Sequence, residues 1–389
     1  MTTVSEMTAP APGVQAVQPD DHRGSWLPTG PMIAKRFMEL TRRRGLMIVL
    51  AVVTVGIPTI FLVVRLLAHA FDPKAFGPAG GFNVFTGTVA GALYIFGFIV
   101  AATLGCTAGS ADLQEGVFRH LVVTGRSRLA IYFARIPAGL AIIMSLVAIG
   151  YGIVCLVCSF AAPTVLNYDG ANVPVGLSRS AFVAWSGDHY GEVLCDYPIR
   201  IQGPGPKGGG AVPVQAACGA NGTLDLNSLP PGVPHPSAAQ LKAQAMSAAR
   251  QDYSDYNKLF LAPPIGLMVR TGLWVELEAA VGFIVGLGLA SLIGQRTISV
   301  ILMIVLELIL TPIFLRAHIP YMINVQRSIV GVAMDHLGPS AIPVAMGGGG
   351  GPGQLLFISE ARTDAAIVVV AWLVVWTALG AWRMATRDS

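Results

Sequence analysis

Charge is what this sequence has least of. Asp, Glu, Lys and Arg make up 12% of its 389 residues, where soluble domains carry about a quarter. A soluble fold of this length needs far more surface charge to stay dispersed. Lipid is therefore the expected solvent for much of the chain. A hydrophobic share of 53% points the same way, and a net charge of +4 is too mild to suggest a nucleic-acid partner. Cysteine is also scarce, with five residues. Cys106, Cys155 and Cys158 fall inside apolar runs and read as small packing residues. The Cys155–Cys158 spacing imitates a redox or metal motif, but no His or acidic neighbour completes a site there, and no metal centre is expected.

The catalytic inventory is equally thin. Seven His are scattered, and neither HExxH nor GxSxG occurs. The run Gly347 to Gly351, followed by Pro352 and Gly353, lacks the Lys-Ser/Thr of a phosphate loop and reads as a flexible connector. Residues 1–30 hold no apolar run of the kind a cleaved signal needs, and read as a disordered cytoplasmic tail.

Long apolar runs are what the chain does have. Six are long enough to cross a hydrocarbon core of ~30 Å at ~1.5 Å per residue: Leu46–Ala68, Val84–Ala108, Pro137–Ala161, Leu273–Ile293, Thr297–Leu315 and Ala365–Trp382. Backbone polar groups in lipid must be satisfied within the segment, so helix is the only conformation open to them. The expected fold is an all-α polytopic membrane protein of about six spans. Residues 31–45 precede them as an amphipathic interfacial helix, with Ile33, Phe37 and Leu40 at i, i+4, i+7. Residues 46–161 hold the first three spans, 162–264 a large loop domain, and 265–389 the last three spans with a short tail. Within the loop domain, Ser237 is placed to cap a helix running to about Leu261.

Arginine sets the orientation. Arg42, Arg43 and Arg44 precede the first span, and Arg119, Arg126, Arg128 and Arg135 lie in the loop between the second and third. Arg296 follows the fourth span and Arg383 the sixth. By the positive-inside rule both termini lie in the cytoplasm and residues 162–264 outside, in a multi-pass protein of the cytoplasmic (inner) membrane. Cys195 and Cys218 are then the only cysteines in the oxidising-side loop, and a disulfide between them is expected.

Three intramembrane acidic residues stand out: Glu276 and Glu278 near the outer end of the fourth span, and Glu307 nearer the middle of the fifth. A charge at the bilayer centre costs ~2.5–3.5 kcal/mol on insertion scales, so such groups should face a cavity, a partner or a neighbouring helix. Two readings follow: a polar lining to a substrate path or proton-linked site, or an interhelical hydrogen bond.

The segment 110–136, SADLQEGVFRHLVVTGRSRLAIYFARI, is the most informative. It sets Leu113, Val117 and Leu121 against Glu115 and Arg119, breaks at Gly125, and leads into the third span. A short helix held at the inner face between two spans can act as a lever, its polar side docking on a cytoplasmic partner. With the amphipathic leading helix and the small-residue end of the second span, the positions Asp112, Gly116, Arg119, Leu121, Thr124, Gly125, Ser127 and Arg128 resemble the type-2 class of ABC-transporter permeases, mostly exporters. In that family the segment, here 110–129, is the coupling helix that touches the nucleotide-binding subunit. The resemblance covers the N-terminal 160 residues and implies Asp112, Glu115, Gly116, Arg119, Thr124, Gly125, Arg126 and Arg128 as the ATPase-coupling set. The last three spans fit it in number, size and acidic placement, while the 162–264 loop is far longer than the family's usual form.

The resemblance further implies a permease subunit that is not itself an enzyme and binds no cofactor. ATP and Mg would sit in a separate ABC ATPase subunit, and a second permease copy or homologue would complete the unit. A membrane-anchored sensor or assembly protein, whose outer loop domain binds a ligand or envelope partner, is the competing reading. A membrane enzyme is disfavoured by the missing catalytic groups.

Overall fold

A computed structural model describes residues 26–72, 76, 79–114, 127–162, 165–168, 171–174, 176–196, 200–202, 211–213, 218, 224–225, 236–259, 262–316, 319, 321–339, 342 and 359–386. Among the described residues, six helices are long and apolar enough to span a membrane. The fold is all-α and polytopic, in keeping with the six apolar runs. In chain order the helices are α1 (Gly30–Arg42), α2 (Arg44–Phe71), α3 (Phe82–Ala111, helical on to Gln114) and α4 (Arg128–Phe160). Two hairpins and three helices then form the loop domain: β1 (Val165–Tyr168) with β2 (Ala171–Pro174), α5 (Arg179–Asp188), α6 (Tyr190–Asp196), β3 (Arg200–Gln202) with β4 (Ala211–Pro213), and α7 (Ala238–Leu259). The chain returns through α8 (Ile265–Ile293) and α9 (Arg296–Phe314), folds back in the short α10 (Ile323–Arg327) and α11 (Val330–Leu337), and ends in α12 (Arg362–Thr386).

The leading amphipathic helix ends at Arg42, three residues before the expected boundary at 45. Its C-cap residue Arg43 leaves helical geometry, and α1 lies against α4, with Trp26 edge-on to Phe133. The loop-domain helix α7 starts as a capping box. Ser237 Oγ accepts from Gln240 N at 3.3 Å while Gln240 Oε1 accepts from Ser237 N at 2.9 Å. Leu241, Ala245 and Ala249 are its buried stripe, and Ala249 packs with Phe182 and Val183 of α5.

Cys195 and Cys218 are joined by a disulfide, their Cα atoms 5.7 Å apart across 23 positions. Closing a loop of this size contributes about 3 kcal/mol in the chain-entropy model. Cys195→Ser is expected to lower loop-domain stability by about that amount while the spans hold. Melting followed separately by loop-domain proteolysis and by detergent thermal shift checks it.

The core of the bundle is the α3–α8 pair. In these helices 65% and 67% of the most apolar stretch is buried, against 22–28% in the other four spans. The two run parallel and their backbones nearly touch. A Cβ at Gly286 would lie 2.6 Å from the Ala102 carbonyl oxygen, one at Gly109 2.6 Å from the Leu287 carbonyl oxygen, and one at Gly282 2.8 Å from that of Phe98. Gly105–Gly109 and Gly282–Gly286 are both GxxxG pairs, the small-residue device that lets helices approach where no hydrophobic force separates helix from lipid.

Three spans change pitch. Val52–Gly56 in α2, Val89–Tyr94 in α3 and Val305–Leu310 in α9 are π-helical. Two of these lie just before a proline, Pro58 and Pro312, whose missing N–H leaves an upstream carbonyl free. Threonine hydroxyls take up nearby carbonyls: Thr59 donates to Val55 O at 2.6 Å and Thr311 to Leu306 O at 3.0 Å. Single π turns inside α-helices re-aim side chains and occur often at functional sites. Here they place Tyr94 and Glu307.

Candidate functional site: a buried acidic cluster

Glu278 lies in the middle of its helix, not near an end. The fourth apolar stretch starts at Ile265 rather than Leu273, because Pro263 and Pro264 form the lead-in and the residues after them can all continue as helix. Glu278 is therefore the fourteenth of 29 residues and is 1% exposed. Glu276, two residues round the helix, is only half-buried. Glu307 is 4% exposed within the π segment of α9.

Two residues not singled out from the sequence, Tyr94 and Asp335, join these acids. The Tyr94 hydroxyl donates to Asp335 Oδ1 of α11. Asp335 keeps part of its surface open, but its carboxyl is turned against protein. Trp274 stacks on Tyr94, ring centroids 4.6 Å apart and planes 9° from parallel, and its Nε1 donates to Met334 O at 2.9 Å. α11 is thereby held to α3 and α8 at once. Gln326 Nε2 donates to Phe314 O at 3.0 Å and Trp372 Nε1 to Ser328 O at 2.7 Å, which tie the same fold-back to α9 and α12. Gly331 sits against Thr311, where a side chain would collide. Glu278, Glu307 and Asp335 act on one another electrostatically, and all three act on Tyr94. The site is thus built on the second, fourth and fifth spans and the fold-back.

Asp335 lies outside the six spans, in the connection between the fifth and the sixth. Burial pushes its carboxyl up to about 7, against the Tyr94 hydrogen bond and the His336 charge, which both act downward. An unfolded Asp titrates near ~3.9. A folded carboxyl that titrates above the unfolded one holds its proton more tightly, so its contribution is whole below about pH 4 and is lost as pH rises through about 7. Amide exchange in α11 is expected to quicken between about pH 5 and about pH 8 by more than base catalysis alone explains. Asp335→Asn should remove that excess. An excess that survives in the variant contradicts the assignment.

At the opposite end of the bundle the ends of the spans are cross-braced. Arg135 of α4 is 2% exposed, and its Nη1 donates to Gly109 O of α3 at 3.3 Å. Ser291 Oγ of α8 reaches the same carbonyl at 3.5 Å. Arg128 Nη1 donates to Ala385 O near the end of α12 at 3.3 Å. Glu115, Gly116, Arg119, Thr124, Gly125 and Arg126 lie outside the described residues. Asp112 is in the last turn of the helix that leads to them, and Arg128 is the first residue of the helix that follows.

The loop domain has no comparable cluster among the described residues. His189 stacks on Trp185 at 4.4 Å, and the exposed Lys242 bonds Asp188 at 2.7 Å, which holds the Asp188 carboxyl below its ordinary value. Compared with known proteins, the chain matches no family model and no curated protein.

Proposed function

We propose that the chain is the membrane-spanning permease subunit of an ATP-driven transporter, working in the exporting direction as one of a pair of permeases on a separate ATPase. One observation carries this reading. The segment between α3 and α4 leaves and re-enters the bundle at a brace in which Arg135 and Ser291 hold Gly109 O and Arg128 holds Ala385 O. A force on the adjoining ends of α3 and α4 would reach the second, third, fourth and sixth spans together. The side bearing this brace is the cytoplasmic one on the arginine distribution, and the disulfide-bonded loop domain faces outward. ATP binding to the paired ATPases would close them, and the motion would part or join the spans around the acidic cluster.

The test is purification of the full chain from its native membrane in mild detergent. The expected result is a co-purifying polypeptide with a phosphate-binding loop, present in stoichiometric amount, that hydrolyses ATP. A chain that purifies without any nucleotide-binding partner, intact and folded, overturns the reading.

A further inference from the structure

Neither carboxylate oxygen of Glu278 has a hydrogen-bond partner, although the residue is 1% exposed. Glu307 Oε2 is in the same position. The strongest charges acting on Glu278 are those of Glu307 and Asp335, and the strongest on Glu307 is that of Asp335. Asp335 in turn meets the Tyr94 hydroxyl and the charge of His336, whose Nδ1 lies 2.8 Å from Val332 O and 3.7 Å from Glu360 Oε2. Glu278, Glu307, Asp335 and Tyr94 come from α8, α9, α11 and α3, so each of these four elements brings an acidic or neutral group to the cluster. Among the described residues, the positive charge that acts on the cluster is that of the His336 imidazole at its rim.

Three carboxylates cannot stay ionised together in such a place. Each uncompensated charge is costly away from water, and each ionised neighbour adds repulsion. A positive charge must enter. A metal ion needs several converging ligands, and among the described residues no three His, Cys, Asp or Glu side chains converge closely enough to hold one. An organic cation needs a cavity of its own size. A proton needs one oxygen and no extra room.

We propose that Glu278, Glu307 and Asp335 form a proton-binding site, with Glu278 the group that takes up and releases the proton. On uptake a hydronium ion gives its proton to a Glu278 carboxylate oxygen. One O–H bond forms, one breaks, and a water molecule leaves. Release runs in reverse, to water or to the neighbouring Glu307 carboxylate. Access is governed by α11, because the Tyr94–Asp335 and Trp274–Met334 hydrogen bonds fasten it over the cluster. The π turns that aim Tyr94 and Glu307 inward are places where a span can change pitch. Protonation of Glu278 fits the closed arrangement, and parting α11 from α3 and α8 admits the water that takes the proton away. The site stands whether or not an ATPase drives the chain.

The test uses the full chain in lipid nanodiscs. Infrared difference spectra across a pH titration should show a carboxylic-acid carbonyl band at neutral pH that shifts in D2O and vanishes at alkaline pH. In an Asp335→Asn background, which removes the Asp335 acid that titrates at about 7, that band should be lost on adding Glu278→Gln and kept, with a displaced titration, on adding Glu307→Gln. Glutamine has the shape of protonated glutamate, so both variants are expected to fold. Should Glu278→Gln not fold, the wild-type chain alone decides. A hydrophobic carbodiimide, which reacts with protonated carboxyls in apolar surroundings, should modify Glu278 at neutral pH, mapped by mass spectrometry. Labelling should fall about tenfold per pH unit above the site's titration. No acid band at neutral pH, the same band in the folded Asp335→Asn, Glu278→Gln double variant, or no pH-dependent labelling of Glu278 overturns the proposal.

Discussion

Alanine at Gly105 is expected to destabilise the bundle by at least about 3 kcal/mol, the upper end of overpacking penalties. The reason lies in what the added methyl would meet. At Gly105 it would fall well inside the Phe283 carbonyl oxygen and 2.9 Å from Leu287 N, both backbone atoms of α8. Side chains can swing aside, but a helix backbone moves only as a whole. The seam would have to open along its length, taking the Gly109, Gly282 and Gly286 contacts with it. The control is Gly152→Ala in α4, where nothing lies within 4 Å of the added carbon. There the better helix propensity of alanine should leave stability unchanged or raise it by up to about 1 kcal/mol. Thermal unfolding in detergent, with monodispersity on size exclusion, compares the two. Equal melting of both variants would mean that the α3–α8 seam is not what holds the bundle.

That seam also shows where sequence reading stops. The spacings Gly105–Gly109 and Gly282–Gly286 are plain in the sequence, yet nothing there says that these two helices face each other. The six spans themselves were legible because lipid leaves helix as the only way to satisfy a backbone, whatever the side chains. The Ser237 cap and the cysteine pair were legible for similar local reasons. The acidic cluster was half legible. Glu278 and Glu307 announce themselves as charges within apolar runs. Tyr94 looks like any aromatic of a span, and Asp335 follows the short apolar run Ile329 to Met334, which is too brief to attract notice. Only the fold-back of α11 joins them. The one cue was that run itself, an apolar stretch with nothing adjacent in sequence to pack on. Hydropathy alone puts Glu278 too near the span end, because a helix whose first turns are weakly apolar, with Arg270 among them, starts earlier than its apolar core.

The second large effect is expected from charge reversal between α3 and α4. Glu115→Lys or Arg119→Glu should leave the protein inserted and folded, since neither substitution changes the spans or the Arg128 and Arg135 braces. If 110–129 docks on an ATPase, each reversal sets like charges against the partner's surface. Breaking one partner of a buried interfacial charge pair costs about 2–5 kcal/mol, which is well over tenfold in affinity. Association of the ATPase should fall by at least that factor, and transport-linked ATP hydrolysis with it. A segment serving only as a positive-inside anchor behaves differently. Losing Arg119 would then disturb insertion or topology, and Glu115→Lys would strengthen the anchor and change nothing else. Titrating the purified partner against nanodisc-held wild type and both variants separates the two cases.

The most direct measurement of the central claim is contact itself. A photo-crosslinking amino acid placed at Arg119 of the full chain, irradiated in native membranes, should form a covalent adduct with a polypeptide that carries a phosphate-binding loop. ATP-site ligands should change the yield of that adduct. The same probe placed at Tyr253, in the loop domain, should not form it. Adducts at Arg119 with lipid alone, or with proteins that bind no nucleotide, while the chain is folded and inserted, would contradict the account.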